Sequence, residues 1–276
     1  MPELPETEVI LGQLRANILK STIVDLRIHR KDIIRTGRDT WPWYIGSQIS
    51  DISRKGKSIV LTCSKATHTR HILTELGMTG LLLFPDSTRE ITKHLHLGLT
   101  LEHSKVPALY YWNPRRFGRV HLLDSDQLHH FSQRRFGEDP FTITQEAFCL
   151  MIGQSRGRVK ARLLNQHIIA GIGNIYANEI LYRAGIHPHA KGTRLSRASL
   201  TRLYHSTQMV LREAIEFGGS TIRDFRAPDG NLGRCQDHHA VYQKSGFPCP
   251  RGCAATIRRL IRERSSFFCP ACQKRT

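Results

Sequence analysis

The hydrophobic period changes once along this chain, and that change limits the folds open to it. Up to about residue 133 the apolar residues come in short alternating runs: Thr22–Ile28, Gly46–Ser53, Ser58–Cys63, His71–Phe84, His94–Leu101, Ala108–Trp112 and Arg119–Leu123. Turn-forming stretches such as Pro85-Asp86-Ser87 and Asn113-Pro114 divide them. Many short strands in close succession describe a sandwich or a barrel-like pair of sheets. One helix precedes them, since Val9, Ile10, Leu14 and Ile18 recur at helical spacing over about 4–19. Beyond Phe136-Gly137-Glu138-Asp139-Pro140 the period turns helical, over Thr144–Ile152, Arg158–Ile169, Asn174–Ala184 and about Ser199–Phe217. A glycine-containing polar loop from Ser220 to Arg234 and a basic, cysteine-bearing tail complete the chain.

At 276 residues the chain accommodates two small cores more naturally than one large one. Its 41 Lys and Arg against 23 Asp and Glu give a net charge of +18, which calls for a polyanionic partner, most often nucleic acid. No apolar run is long enough to span a bilayer, and the acidic, polar start does not read as a signal peptide. The expected setting is therefore the reducing cytoplasm, where seven cysteines do not make a disulfide framework. Cys63, Cys149 and Cys235 are scattered and read as packing residues.

The other four cysteines are grouped. Cys249-x3-Cys253 and Cys269-x2-Cys272, separated by a hairpin-sized segment, can close a tetrahedral four-thiolate site for one structural Zn²⁺. Arg251, Arg258, Arg259, Arg262, Arg264, Lys274 and Arg275 surround them against Glu263, a surface suited to phosphate or to another protein.

Chemistry is suggested first at the amino end, Met1-Pro2-Glu3-Leu4-Pro5-Glu6. Removal of Met1 would leave Pro2 with a secondary amine of low basicity compared with lysine. Its attack on an aldehyde-level carbon gives a cationic iminium, an electron sink. Glu3 and Glu6 lie on one side of the helix start as candidate acid/base groups, although a first-turn proline and acidic residues also simply suit a helix N-terminus. Lys160 to Glu179, KARLLNQHIIAGIGNIYANE, reads as helix, glycine turn and second helix, with Asn174 at the N-cap. That arrangement serves equally as a phosphate site or as an ordinary helical hairpin. Lys57 in Gly56-Lys57-Ser58 and Met78 in Leu76-Gly77-Met78-Thr79-Gly80 carry little signal singly. Phe117 beside Arg115 and Arg116 in Asn113-Pro114-Arg115-Arg116-Phe117-Gly118 suits base stacking. His94 and His96 are expected on one strand face.

Taken together, PELPE at the terminus, the Gly56-Lys57 pair, LGMTG, NPRRFG, AGIGNIYANE, GGSTIRDF and the terminal cysteine hairpin make the chain resemble bacterial formamidopyrimidine-DNA glycosylases from end to end. The resemblance implies an α+β multidomain fold: an N-terminal β-sandwich with an N-terminal helix (1–133), a linker (134–140), a helix–two-turn–helix domain with a lesion-covering loop (141–234) and a zinc-finger hairpin (241–276), with DNA in the cleft between domains. It implies a bacterial, monomeric DNA glycosylase/lyase of base excision repair. Its partner would be double-stranded DNA with an oxidised purine or an abasic site. Pro2 would attack C1′, Glu3 would donate a proton at the sugar with Glu6 in support, Lys57 would act in β-elimination and Arg264 in δ-elimination. Met78, Arg115 and Phe117 would fill the gap left by the extruded nucleotide, and His94, Lys160 and Asn174 would hold the DNA backbone. Related endonuclease VIII-type enzymes typically begin PEGPE, so Leu4 favours purines over oxidised pyrimidines; a non-catalytic binder of damaged DNA is the reading from a different class. The chain departs from the family pattern at four places: C-x3-C for the usual C-x2-C, Glu75 where many members have His, Asn113 for a usual Asp, and Ser155 where Lys is common, with Arg156 and Arg158 nearby.

Overall fold

The computed structural model describes residues 2–85, 93–261 and 264–274. Met1, the expected turn residues Asp86 and Ser87, and Arg262, Glu263 and Arg275 lie outside the described residues. The chain divides into two compact units, residues 1–134 with 215–236, and residues 135–214 with 237–276. The loop after residue 220, expected in the helical domain, thus packs with the first unit instead.

In the first unit helix α1 (Leu4–Ile18) precedes β1 (Thr22–Ile28), β2 (Ile34–Thr36), β3 (Gln48–Lys55), β4 (Ser58–Lys65), β5 (His68–Glu75), β6 (Leu81–Leu83), β7 (Leu95–Glu102), β8 (Ala108–Trp112) and β9 (Arg119–Asp124). The strands run in the order β2-β9-β5-β4-β3-β1-β7-β8-β6. β1 meets β3 at the single register pair Thr22↔Gln48, so the ladder nearly breaks there. It divides into a five-strand and a four-strand half that share one core. Bulges at Ile23/Asp25, Ile49/Asp51 and Leu95/Leu97 supply the local twist that folds a ladder over on itself. Ile10, Leu14 and Ile18 of α1 pack with Ile23, Ile49, Ile52, Ile59, Ile72, Leu99 and Leu122. Each such side chain contributes about 1.5–3 kcal/mol on burial, and this shared core holds the two halves as a sandwich.

Two elements differ from expectation. The run His71–Phe84 is two strands, because residues 76–80 carry the chain from β5 in one half to β6 at the far edge of the other. Helix α2 (Ser125–Arg135) occupies what reads as the end of the sandwich and the start of a linker. None of its residues is buried, so it lacks the apolar stripe that reveals a helix in sequence. It starts from a reciprocal cap, Gln127 N donating to Asp124 Oδ1 at 2.8 Å and Asp124 N to Gln127 Oε1 at 3.1 Å.

The second unit holds α3 (Gln145–Gly153), α4 (Val159–Leu164), α5 (Asn174–Ala184), most of α6 (Arg197–Glu216), and a hairpin of β10 (Arg258–Leu260) and β11 (Ser266–Phe268). The helix expected over Arg158–Ile169 stops at Leu164. Asn165 leaves helical geometry and its Oδ1 accepts from His167 N at 3.0 Å, the local competition by which Asn ends helices. Gln166 then ties the two following turns together, donating to Leu164 O and Ile172 O and accepting from Gly171 N. α5 starts after an extended Gly173, which is the N-cap; Asn174 is its first helical residue rather than the cap expected from sequence.

Candidate active site

The head of α1 is buried: Pro2 is enclosed, and Glu3 and Glu6 are 2% and 1% exposed. Glu6, at the third helical position, reaches back with Oε2 to accept from Glu3 N at 2.7 Å, half of a capping box. Its Oε1 accepts from Ser220 N at 2.7 Å, which fixes the start of the 220–234 loop beside Pro2 and Glu3. Gly219, at φ +77°, makes this approach possible, since a Cβ there would stand 2.9 Å from Glu6 Cγ and Oε1. One turn along α1, Glu8 Oε1 accepts from Arg54 Nε at 2.5 Å, and Arg54 also donates to Gly56 O at 3.1 Å. This guanidinium, 6% exposed, braces α1 against the two-residue turn Gly56-Lys57 joining β3 to β4. Gly56 at φ +58° opens that turn and Lys57 is half-buried in it. Pro2, Glu3, Glu6 and the Lys57 turn are therefore carried on one braced assembly.

The loops 76–80 and 113–118 form a second group. A Cβ on Gly77 would lie 2.6 Å from Gly118 N, so these backbones touch. Asn113, fully buried, organises them: its Oδ1 accepts from Thr79 Oγ1 and Arg116 N, both at 3.1 Å, and its Nδ2 donates to Tyr111 Oη at 3.0 Å. The amide both donates and accepts, which accounts for Asn where the family pattern has Asp. Thr79 Oγ1 accepts in turn from Arg115 N at 3.3 Å. The products of this bracing are two exposed apolar side chains, Met78 at 40% and Phe117 at 53%, with the Arg115 guanidinium 5.1 Å from the Phe117 ring centre. Exposed apolar groups on rigid loops beside a cation suit insertion between bases.

His94 and His96 do not share a face. His94 has φ +73° and is exposed, whereas His96 follows it into the bulge and is buried, bonded through Nε2 to Asn113 O at 2.7 Å. Burial lowers the His96 pKa and favours a neutral ring. Glu75 turns to His121, with Oε2 and Nε2 3.2 Å apart, while His121 Nδ1 pairs with Thr36 Oγ1 at 3.1 Å.

In the second unit, Lys160 and Asn174 converge on one backbone oxygen. Lys160 Nζ donates to Ser265 O and Ser266 Oγ, both at 2.8 Å, and Asn174 Nδ2 donates to Ser265 O at 3.2 Å. They hold the strand next to Arg264, which is exposed. Arg158, Lys160, His189 and Arg264 line a cavity of about 290 Å³ with no carboxylate among its lining residues. Such a pocket accepts an anion. Arg158 enters it three residues after Ser155, whose own Oγ accepts from Gly157 N in a turn.

The four grouped cysteines meet. Their sulfurs all lie within 4.8 Å of one another, with Cys249–Cys272, Cys253–Cys272 and Cys253–Cys269 at 3.8, 3.5 and 3.4 Å. A tetrahedron of Zn–S bonds about 2.3 Å long has S···S edges of about 3.8 Å, so the donor set fits that ion. Without a cation, burial and hydrogen bonding from the neighbouring sulfurs push the Cys272 thiol up to about 12. The C-x3-C segment turns through Gly252 at φ +69°, and Ala254, just beyond Cys253, has φ +60°. Sequence reasoning passed over the group that anchors this segment: Glu179 of α5, buried, accepts from the amides of Ala240, Val241 and Tyr242 at 2.8, 3.0 and 2.7 Å. Burial raises its pKa, opposed by those three bonds. An acidic residue inside an otherwise apolar helix face was its only trace. Among the described residues no helix is long and apolar enough to cross a membrane.

A sandwich carrying a braced amino-terminal proline and a helical unit with a four-cysteine hairpin define a class of DNA-repair glycosylases with two characteristic domains. Residues 1–120 match the formamidopyrimidine-DNA glycosylase N-terminal domain, and residues 136–226 the H2TH domain of the same enzymes. The formamidopyrimidine-DNA glycosylase of Solibacter usitatus is 38% identical over 280 residues, covering all of both chains. That of Chloroflexus aggregans is 38% identical over 99% of this chain and 98% of its own. The fold is shared with the MutM (Fpg) protein of Thermus thermophilus, at TM-score 0.86, 33% identity and full coverage of both chains. It is shared also with Lactococcus lactis Fpg in complex with DNA containing an abasic site, at TM-score 0.86 and 32% identity over 99% of this chain and 100% of that one. This chain belongs to the formamidopyrimidine-DNA glycosylase family.

Proposed function

We propose that the protein is a bifunctional DNA glycosylase and abasic-site lyase acting on oxidised purines, 8-oxoguanine and formamidopyrimidines, in double-stranded DNA. The observation that carries the reading is the buried pair Glu3 and Glu6 beside Pro2, braced to the Lys57 turn through Arg54.

After removal of Met1, the unprotonated Pro2 nitrogen attacks C1′ of an extruded nucleotide. The N–C1′ bond forms and the C1′–base bond breaks with its electron pair leaving on the base. The proton lost from the Pro2 nitrogen balances the one that the departing base takes up, and Glu3 delivers a proton to the sugar ring oxygen as the nitrogen lone pair opens the ring. The resulting iminium acidifies the C2′ proton. Its loss expels the 3′ phosphate, with Lys57 supplying a proton, and a second elimination at the 5′ side, assisted by Arg264, expels the other phosphate. Water then releases the sugar remnant and regenerates the amine. Extrusion costs a few kcal/mol, which Met78, Arg115 and Phe117 offset by filling the vacated stack. His94, Lys160 and Asn174 hold the backbone without reading sequence, and the loop after Ser220 covers the extruded base. Cys249, Cys253, Cys269 and Cys272 hold one Zn²⁺, which contributes folding energy to the hairpin that carries Arg264.

Borohydride reduction of the processed protein on 8-oxoguanine duplex is expected to trap a covalent adduct that maps to Pro2. Absence of the adduct refutes the mechanism. Pro2→Gly should retain binding while losing excision by at least about 10³-fold. Faster excision of thymine glycol than of 8-oxoguanine would move the reading to oxidised pyrimidines. A solution mass near 31.5 kDa tests the further reading that the enzyme is a monomer.

A further inference from the structure

The loop after Ser220 is fastened to α1 twice. Its neck is held by the Ser220 N to Glu6 Oε1 bond. Further along, Gln13 Nε2 donates to Asp229 Oδ2 at 2.7 Å while Asp229 N donates to Gln13 Oε1 at 3.0 Å, so both ends of one side-chain amide are used. Glu6 and Gln13 are two turns apart and share a face of the helix. Asn231 orients the carboxylate, through N to Oδ1 at 3.0 Å and Nδ2 to Oδ2 at 2.9 Å. Between the tethers Phe225 is sunk in the sandwich core, and Phe84 N donates to Pro228 O at 2.8 Å. The neck is closed from within: Thr221 N donates to Gln236 Oε1, and Gly233 N to Thr221 Oγ1. Arg223, Asp224 and Arg226 stay exposed between these fixed points.

We propose that Gln13 and Asp229 form a positioning latch through which the helix bearing Pro2 sets this loop against the base of the nucleotide held at Pro2. Resting on the function proposed above, the latch governs removal of a damaged base and is dispensable for cleavage at a site that has already lost its base. Gln13 is about 16 Å along the helix axis from Pro2, too far to touch the reacting sugar, so it acts only through the loop. The loop does lie beside the chemistry, because its first residue is bonded to the carboxylate one turn from Pro2. An abasic nucleotide offers that loop nothing to cover.

The test compares single-turnover rates on one duplex carrying either 8-oxoguanine or an abasic site, for the parent, Gln13→Glu and the double variant Gln13→Glu/Asp229→Asn. Gln13→Glu sets two carboxylates face to face and is expected to slow base removal on the order of tenfold, with abasic-site cleavage within about twofold of the parent. The double variant restores an amide–carboxylate pair in reversed polarity but sets the amide nitrogen introduced at position 229 against the Asn231 Nδ2 donor, so it should recover part of the loss. Trypsin digestion without DNA reads the loop directly: cutting after Arg223 and Arg226 should accelerate in Gln13→Glu and slow again, toward the parent rate, in the double variant. A parallel fall in both reactions makes the pair a mere fold stabiliser and overturns the latch; so does an unchanged digestion rate. A parent that leaves 8-oxoguanine untouched overturns the proposed function, and the digestion series alone then decides the latch.

Discussion

The sandwich and the cysteine hairpin present their chemical groups from different physical foundations. Pro2, Lys57, Met78 and Phe117 sit on loops and a helix end that grow out of a continuous apolar core, from Ile10 of α1 to Leu122 of β9. The cysteine segment, with the α5 residue it packs on, has six buried core residues, Tyr182 of α5 with Val241, Cys249, Ile257, Phe267 and Cys269, of which two are cysteines. Its shortage of apolar burial is met by directed polar bonds: Glu179 to three amides, Asn178 to Phe267 N, Lys160 to Ser265 and Ser266, and buried Gln273 to Cys269 N and Ile186 O. A core tolerates the loss of a contact by degrees, whereas four ligands and a few anchors fail together.

The largest effect that separates the two regions is metal removal. Chelation, or Cys269→Ser, is expected to release one metal ion per chain and unfold the hairpin, with a loss of DNA affinity. Binding energies of about 10 kcal/mol or more are tied to the metal in such segments, whereas the β-sheet circular dichroism of the sandwich should persist because that unit has its own apolar core. Loss of the sheet signal as well would erase the distinction. On the other side, Ile52→Ala in the sandwich core should cost about 2–5 kcal/mol in denaturant unfolding with metal content unchanged. Acid sharpens the contrast further. Burial, then the charge of Lys244, lowers His239 to about 4 from its ordinary 6.5. A ring held neutral in the folded state stabilises it above pH 6.5, and that stability drains away as pH falls through 4. Replacing it by Gln should remove that pH dependence, so that the parent and variant acid-unfolding curves diverge across that window, by about 3 kcal/mol at most. The smallest effect is a gain: Ala254→Gly removes a left-handed alanine from the knuckle and should stabilise the metal-loaded hairpin by about 1 kcal/mol, read as slower metal loss to a chelator.

What could be read from the residues follows the same division. β1, β8 and α5 appear where the periodicity puts them, because each buries one face or nearly all of its length. α2 was illegible, since its two apolar residues, Leu128 and Phe131, are too few and only half-buried. The four cysteines were legible as a group able to hold a metal ion, because their spacing brings the sulfurs together. The allegiance of the 220–234 loop was not, since Gln13 and Asp229 are 216 residues apart and neither is unusual alone. Lys160 likewise finds its partner 105 residues away in a backbone oxygen, which no side-chain pattern advertises. The His94–His96 expectation failed because a bulge breaks the two-residue alternation that it assumed.

The knuckle at Cys249 and Cys253 shows what ligand spacing measures. It is a ruler for the separation of sulfur atoms: with three residues between them, and Gly252 turning left-handed on the way, these two still stand within 4.8 Å of each other and of the second pair. A motif read by residue count therefore passes over sites that a motif read by atom separation keeps.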